Sequence, residues 1–409
     1  MKILFIHGNY PAQFRHLAPL IANSGHHRVV FLTNRADAEQ HQLAGVEIRR
    51  YELHRDPSEH THHYLHSLED AVLQGQAALR EVHALLDEGF QPNIVVTHAG
   101  MGLGLFIKDL LPHARHVGYF EWYFQPNTAQ HLVQTFNLDM QLNTSLRNLP
   151  ILQELERCDS AVVPTEWQKC QFPAAYQHKL EVIFDGIDRQ FFRPQTASME
   201  SQQQALILHN RDTGEAFQIG AGQRLISYCT RGMEPLRGFP EFMRALPALL
   251  KRFADLQVVI AGADRRAYSY DAPSHDGSWK QHLLAELGDT LPHERVLFTG
   301  LLNYDDYRSL LWRSDLHCYF TRPYVTSWSL FEAAACGARL AVNACPATDG
   351  IAKPNSVNWV SLDEPRRMEQ VLARALDYRA PRAILQNGFD LDTSLQQWEK
   401  LLNRMLQSS

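Results

Sequence analysis

The feature that most constrains this chain is a repeated alternation of short apolar runs with longer amphipathic stretches. Lys2–His7, Arg28–Asn34, Ile94–His98, His116–Phe120, Ala161–Pro164 and Val182–Phe184 read as strands. Between them Gln13–Ala22, Tyr64–Leu86 and Leu132–Cys158 carry helical periodicity. A strand that feeds a helix and then another strand builds a parallel sheet covered on both faces. The alternation stops over residues 193–222, which are polar, rich in Gln and contain the turn-like Asp212-Thr213-Gly214. That stretch reads as a linker carrying a small hairpin. The alternation then restarts at Leu225–Thr230 and continues through Val258–Ala261, Val296–Thr299, His317–Phe320, Leu340–Asn343 and Val357–Val360. The expected fold is therefore α/β, with two Rossmann-like domains over residues 1–190 and 191–385, facing each other across a cleft. Residues 386–409 are expected to form a C-terminal helix that packs back on the first domain.

Composition narrows the class. Of the 409 residues 45% are hydrophobic and 21% charged, a globular balance. A net charge of -6 weighs against nucleic acid as a partner, because such binders concentrate basic charge on one face. None of the six cysteines forms a CxxC pair, which fits reduced, buried thiols in a cytosolic protein. The opening MKILFIHGNY reads as a first strand and not as a signal peptide, and no apolar stretch is long enough to span a bilayer. A cytoplasmic location follows as the expectation, with peripheral membrane contact left open. His54, His60, His62, His63 and His66 cluster in a polar loop but lack the ordered spacing of a structural zinc site, so no metal is expected there.

Five stretches carry candidate chemistry. In HGNYPAQFRHLAPL, Gly8 permits a tight turn, and the helix expected after it would present free amides to an anion; any Rossmann-like first turn looks similar. In VVTHAGMGLGLFI, the glycines Gly100, Gly102 and Gly104 imitate a dinucleotide fingerprint. Their spacing is wrong and they do not follow the first strand, which argues against NAD. His98 ends that strand and is a candidate site residue or a structural one. In HVGYFEWYFQP, Glu121 sits among aromatic residues, as an acid or base, an anchor for sugar hydroxyls, or an ion-pair partner. In SYCTRGMEPLRGF, Arg231 and Arg237 flank a strand-to-helix turn, with Gly232 and Gly238 allowing close backbone approach. Two guanidiniums there suit a diphosphate whose charge grows as a bond breaks. In FTRPYVTSWSLFEAAACG, a helix is predicted to start near Ser327, Trp328 and Ser329, where its amides suit a phosphate. Glu332, one turn later, could accept the two hydroxyls of a ribose.

Taken together, HGNYPAQFRHL, PTEWQK (Pro164–Lys169), FDGID (Phe184–Asp188), TRGMEPLRGF, VLFTGLLNYDDYRSLLWRSDL and SWSLFEAAACG resemble the retaining, metal-independent glycosyltransferases of family 4, which have the GT-B fold. The resemblance implies an acceptor side in the first domain and a nucleotide-sugar donor side in the second. It places Arg231 and Arg237 on the donor diphosphate, Glu332 on the ribose, and Ser327 and Trp328 on the phosphates through their amides. It also places Thr299, Gly300 and Leu301 on the base. Tyr324 stands where the family has the first glutamate of its motif, and Glu121 where it has a histidine. The implied activity is transfer of a hexose from a donor of the UDP-glucose or GDP-mannose type to a saccharide or glycolipid acceptor, in surface polysaccharide assembly, without a cofactor. A sugar-nucleotide epimerase of the same fold and a catalytically silent sugar-nucleotide binder are the alternatives. The sequence leaves the oligomeric state open.

Overall fold

The first strand, Lys2–Ile6 (β1), is buried along nearly its whole length, and its neighbours explain why. The computed structural model describes residues 1–25, 27–133, 135–196, 205–269 and 277–407. Among them β1 pairs in parallel with Arg28–Thr33 (β2) on one side and with Ile94–His98 (β4) on the other, and Val46–Arg50 (β3) pairs with the outer side of β2. Arg115–Tyr119 (β5), Ser160–Val163 (β6) and Leu180–Val182 (β7) extend the sheet to the order β3-β2-β1-β4-β5-β6-β7. Side chains alternate faces along a strand. Ile3 and Phe5 therefore join a core with Phe14, Leu17, Trp398 and Leu401, while Leu4 and Ile6 join another with Ala77, Ala78, Val82 and Leu85.

The second sheet repeats the plan. Arg224–Gly232 (β10) lies between Leu256–Ala263 (β11) and Leu316–Tyr319 (β13). Val296–Gly300 (β12), Leu340–Asn343 (β14) and Asn358–Val360 (β15) complete the order β12-β11-β10-β13-β14-β15, again parallel. Ile226 and Tyr228 face Phe242 and Leu246; Leu225 and Val259 face Leu208, Ile219 and Leu310. The hairpin of Leu206–His209 (β8) and Ala216–Ile219 (β9) supplies two of those residues. Its turn is set by Asn210, whose side-chain oxygen accepts from the Asp212 and Thr213 amides, and by Gly214 at φ +74°. The stretch 197–204 of the expected linker lies outside the described residues.

The chain divides into two compact units. One comprises Met1–Ala129, Phe136–Gly186 and Leu391–Ser409; the other comprises Gln130–Thr135 and Ile187–Asp390. The helix Leu391–Gln407 is part of the first unit, where Trp398, Leu401, Leu402 and Met405 are buried in its core. Gly186, at φ +86°, leaves room for this helix, since a Cβ there would lie 2.8 Å from the Leu391 Cα. Two sequence expectations change in detail. The long helix over Leu132–Cys158 is broken into Leu138–Arg147 and Leu149–Arg157. Asn137 caps the first, and the Asn148 side chain turns away to bond both backbone groups of Phe124. Strand β3 escaped the reading because VEIRR is half-buried throughout and lacks an apolar run.

Candidate functional site

Both sheets change direction beside their central strand, and in open α/β sheets ligands bind beyond the carboxyl ends at that point. In the first unit those ends carry His7 and Gly8 after β1, His98 at the end of β4 and Glu121 just after β5. The His7 and His98 rings lie 4.3 Å apart, and His98 Nε2 is 3.6 Å from a Glu121 carboxylate oxygen. His7 Nδ1 accepts the Asn9 amide at 2.8 Å, so its proton sits on Nε2, which reaches Gln13 Oε1 at 2.9 Å. Burial, and then His98, hold the His7 proton affinity well below the ordinary histidine range. His98 itself is 6% exposed and its Nδ1 has no partner. Tyr119, 5.7 Å from the His98 ring, donates to Asp185 of the FDGID motif at 2.6 Å. The PTEWQK motif serves the same corner: Thr165 caps a short helix whose Gln168 donates to the Glu121 carbonyl at 2.8 Å.

Gly8 falls at this edge, but the regular helix expected after it begins only at Leu17. The turn between is stitched by the Asn9 and Tyr10 amides to side chains of His7 and Asn9. The glycines of VVTHAGMGLGLFI are explained by the chain itself. The Gly100 amide donates to a carboxyl oxygen of the buried Glu154 at 3.3 Å, and Gly100 and Gly102 adopt φ +91° and +87° in the turn that faces it. Burial outweighs the pull of the nearby glycine amides and raises the Glu154 pKa to about 8. A Cβ on Gly104 would sit 2.5 Å from Glu154 and 2.9 Å from His116. This loop holds an internal carboxyl group where a dinucleotide fingerprint would hold a pyrophosphate.

In the second unit the carboxyl ends of β10 and β13 gather Arg231, Arg237, Tyr324, Ser327, Trp328, Ser329 and Glu332. Arg237 is 6% exposed and donates through Nη1 to Thr321 Oγ1 at 2.8 Å and to the Val325 carbonyl at 3.0 Å. Arg231 is exposed and reaches the Tyr268 hydroxyl at 3.5 Å. The Tyr268 ring lies 5.1 Å from the Arg237 guanidinium and 5.6 Å from the Tyr324 ring. The helix Trp328–Ala335 starts where the sequence predicts, with Ser327 as its N-cap. The Ser327 amide donates to the Tyr319 hydroxyl at 3.0 Å, and the Ser329 carbonyl accepts from Tyr307 at 3.2 Å. Glu332 is 4% exposed, and its charge helps raise the proton affinity of Tyr307, Cys229 and Cys336, whose burial is the larger cause. Thr299 and Gly300 end β12, two strands from β10, and Leu301 follows directly. The Leu301 carbonyl accepts the Arg211 amide at 2.6 Å, so the β8–β9 hairpin closes against them.

The expected site residues thus fall into two groups, one on each unit. Sequence reasoning missed His7, Gln13 and Glu154 in the first, and Tyr268, Tyr319, Thr321 and Glu234 in the second. Of these only His7, directly after a predicted strand, had a readable signal. In the histidine-rich loop His63 and Tyr64 bond Asp139. Among the described residues no group of three or more His, Cys, Asp or Glu side chains is arranged to hold a metal ion.

Residues 25–192 match the model of the glycosyl transferase family 4 group. That match covers less than half of the chain; the fold is GT-B. Sucrose-phosphate synthase from Thermosynechococcus elongatus superposes with a TM-score of 0.71 at 15% identity, covering 100% of both chains. Anabaena Alr3699/HepE, solved with UDP and glucose, gives 0.62 at 13% identity over 98% of this chain and 99% of that one. The catalytic domain of starch synthase IV from Arabidopsis thaliana, bound to ADP and acarbose, gives 0.59 at 14% identity over 99% of each. No curated protein matches the sequence significantly. Among the described residues no helix is long and apolar enough to cross a membrane.

Proposed function

We propose that the chain is a retaining glycosyltransferase that moves a hexose from a nucleoside diphosphate sugar to a hydroxyl of a saccharide or glycolipid, in glycoconjugate or surface polysaccharide synthesis. The observation that carries this reading is the buried Arg237 guanidinium. It is fixed by Thr321 and Val325 at the edge where the helix Trp328–Ala335 begins, with Glu332 buried one turn further on. Breaking the bond between the sugar and the diphosphate leaves negative charge on the diphosphate. Donors already fixed in place stabilise that charge without reorganising. Arg231 and Arg237 meet the diphosphate, Glu332 accepts the ribose hydroxyls, and the amides of Ser327 and Trp328 bind phosphate oxygens. The acceptor hydroxyl passes its proton to the departing phosphate on the same face, so no separate base is needed. His98 and Glu121 on the first unit orient the acceptor.

The nucleotides bound in the Anabaena and Arabidopsis structures, UDP and ADP, support a nucleoside diphosphate donor. UDP-glucose is the first candidate and GDP-mannose the second. Two arginines neutralise a diphosphate without a divalent cation, so turnover is expected to survive a chelator. The full chain incubated with UDP-glucose, GDP-mannose and ADP-glucose should hydrolyse one donor slowly, and faster with a saccharide acceptor. An isomerised donor would identify an epimerase. Binding without turnover would leave a silent nucleotide-sugar binder, and either outcome overturns the reading.

A further inference from the structure

At this edge of the second unit two donor groups are engaged by tyrosine hydroxyls of the same unit. The Ser327 amide uses Tyr319, and Arg231 uses Tyr268. Tyr268 does more than Tyr319. Its hydroxyl faces Arg231 while its ring lies over Arg237, so one side chain touches both guanidiniums. A diphosphate held by the same two arginines would have to occupy that position.

The placement of Tyr268 is built in from outside its own loop. Glu234 is fully buried, and one of its carboxylate oxygens accepts three successive amides, Ala267 at 3.0 Å, Tyr268 at 3.0 Å and Ser269 at 2.8 Å. Three charge-assisted bonds to adjacent amides fix the backbone that carries the ring. The backbone after β10 makes room for this loop. A Cβ on Gly232 would lie 2.7 Å from the Arg265 carbonyl and 2.9 Å from the Ala267 amide. Where β11 ends, Gly262 stands at φ +145°, and a Cβ there would meet the Thr230 carbonyl at 2.1 Å. The β11 loop is thus seated against the segment that bears Arg231, with Glu234 as its clasp.

We propose that Tyr268, clasped by Glu234, is a positioning residue of the donor site: it holds Arg231 and Arg237 in place between turnovers and yields to the oxygens of the incoming diphosphate. This rests on the reading that those arginines bind the donor diphosphate. At 3.5 Å the bond from Arg231 is long and readily exchanged, whereas the ring over Arg237 can stay when the ligand enters. Without Tyr268 the exposed Arg231 loses its anchor and must be ordered anew at each binding event.

The test is calorimetric titration of the full chain with UDP, GDP and ADP, followed by the nucleoside of the tightest binder. Tyr268→Ala should weaken the diphosphate about tenfold and leave the nucleoside unchanged, because the residue acts on the phosphate arginines alone. Tyr268→Phe keeps the ring and loses only the hydroxyl, so it should weaken the diphosphate about threefold. Glu234→Gln, which removes the charge of the clasp, should fall between them with the nucleoside again unaffected. Diphosphate binding by Tyr268→Ala equal to or tighter than wild type overturns the proposal. So does an equal loss for nucleoside and diphosphate, which marks a merely structural role. Arg231→Ala and Arg237→Ala are run beside these variants. Wild-type diphosphate affinity in both, or no nucleotide binding by the wild-type chain, defeats the underlying reading and the proposal with it. Loss in both with Tyr268→Ala unaffected defeats the proposal alone.

Discussion

At the carboxyl edge of the first sheet a glycine-rich loop turns on Glu154, a carboxyl group of the same chain that accepts the Gly100 amide. At the same edge of the second sheet a buried guanidinium, an exposed one and the start of a helix are engaged by hydroxyl and carbonyl oxygens. The two edges share a topology but differ in what fills them. Amides satisfied by an ionisable group of their own unit leave nothing for a ligand to gain. Cations held by neutral oxygens gain when a diphosphate replaces those oxygens. A run of glycines at a strand end is therefore informative only once the occupant of its amides is known.

The largest effect expected from breaking this contrast is at Gly102. A Cβ there would lie 1.9 Å from the Ala71 carbonyl, at φ +87°. Gly102→Ala should cost more than about 4 kcal/mol and prevent the first unit from folding. Gly214, also at positive φ but with open space around it, should accept alanine for about 1 kcal/mol. Thermal melts of the two variants decide the point: a wild-type melting temperature for Gly102→Ala would mean that the loop is not seated as described.

Next comes the second edge. Glu332→Ala should weaken binding of the donor nucleotide by at least about tenfold, since each bond from a ribose hydroxyl to a carboxylate contributes roughly 1.5–3 kcal/mol. Glu332→Gln should fall between. Arg231→Ala should lower turnover more than donor affinity, because the charge it meets develops as the bond breaks. Unchanged nucleotide affinity in folded Glu332→Ala, measured by calorimetry, would assign Glu332 to the packing of its own helix.

A smaller effect separates the units by pH. Glu154 titrates near pH 8 in the folded chain, above the ordinary carboxyl value of 4.5. Its contribution is fully present below about pH 4.5. It is lost as pH rises towards 8, because the unfolded chain ionises first. His116 in the first unit and His317 in the second are lowered by burial to about 3, so each contributes fully above about pH 6.5 and loses that contribution as pH falls. Between pH 6.5 and 8 the first unit should therefore weaken while His317 leaves the second unaffected. Hydrogen exchange in β1 and β4 against β10 and β11 reads this directly. Glu154→Gln should abolish the alkaline loss in the first unit, and an unchanged pH profile in that variant would clear Glu154 of the role.

The smallest expected change is at Ser327, whose hydroxyl caps the helix Trp328–Ala335. Ser327→Ala should cost about 1 kcal/mol in thermal stability. A loss well beyond that would mean that the hydroxyl supports more than the helix.

Much of the architecture was legible because it depends on local periodicity. Buried parallel strands must be apolar runs and their crossovers amphipathic helices, so the alternation, its interruption and its restart could be read along the chain. The same holds for the Ser327 cap and the hairpin at Asp212–Gly214, where a few adjacent residues decide the conformation. Arg231, Arg237 and Glu332 were readable because their residue types sit at strand ends and helix starts. The folded chain alone decided what meets those groups. Glu154 reaches the glycine loop from 50 residues away or more, and Glu234 clasps the Tyr268 backbone from over 30 residues away. Such partners leave no periodic trace, since a hydrogen bond between distant segments depends on which strands become neighbours. That order is set by the packing of the whole sheet and by no local run of residues.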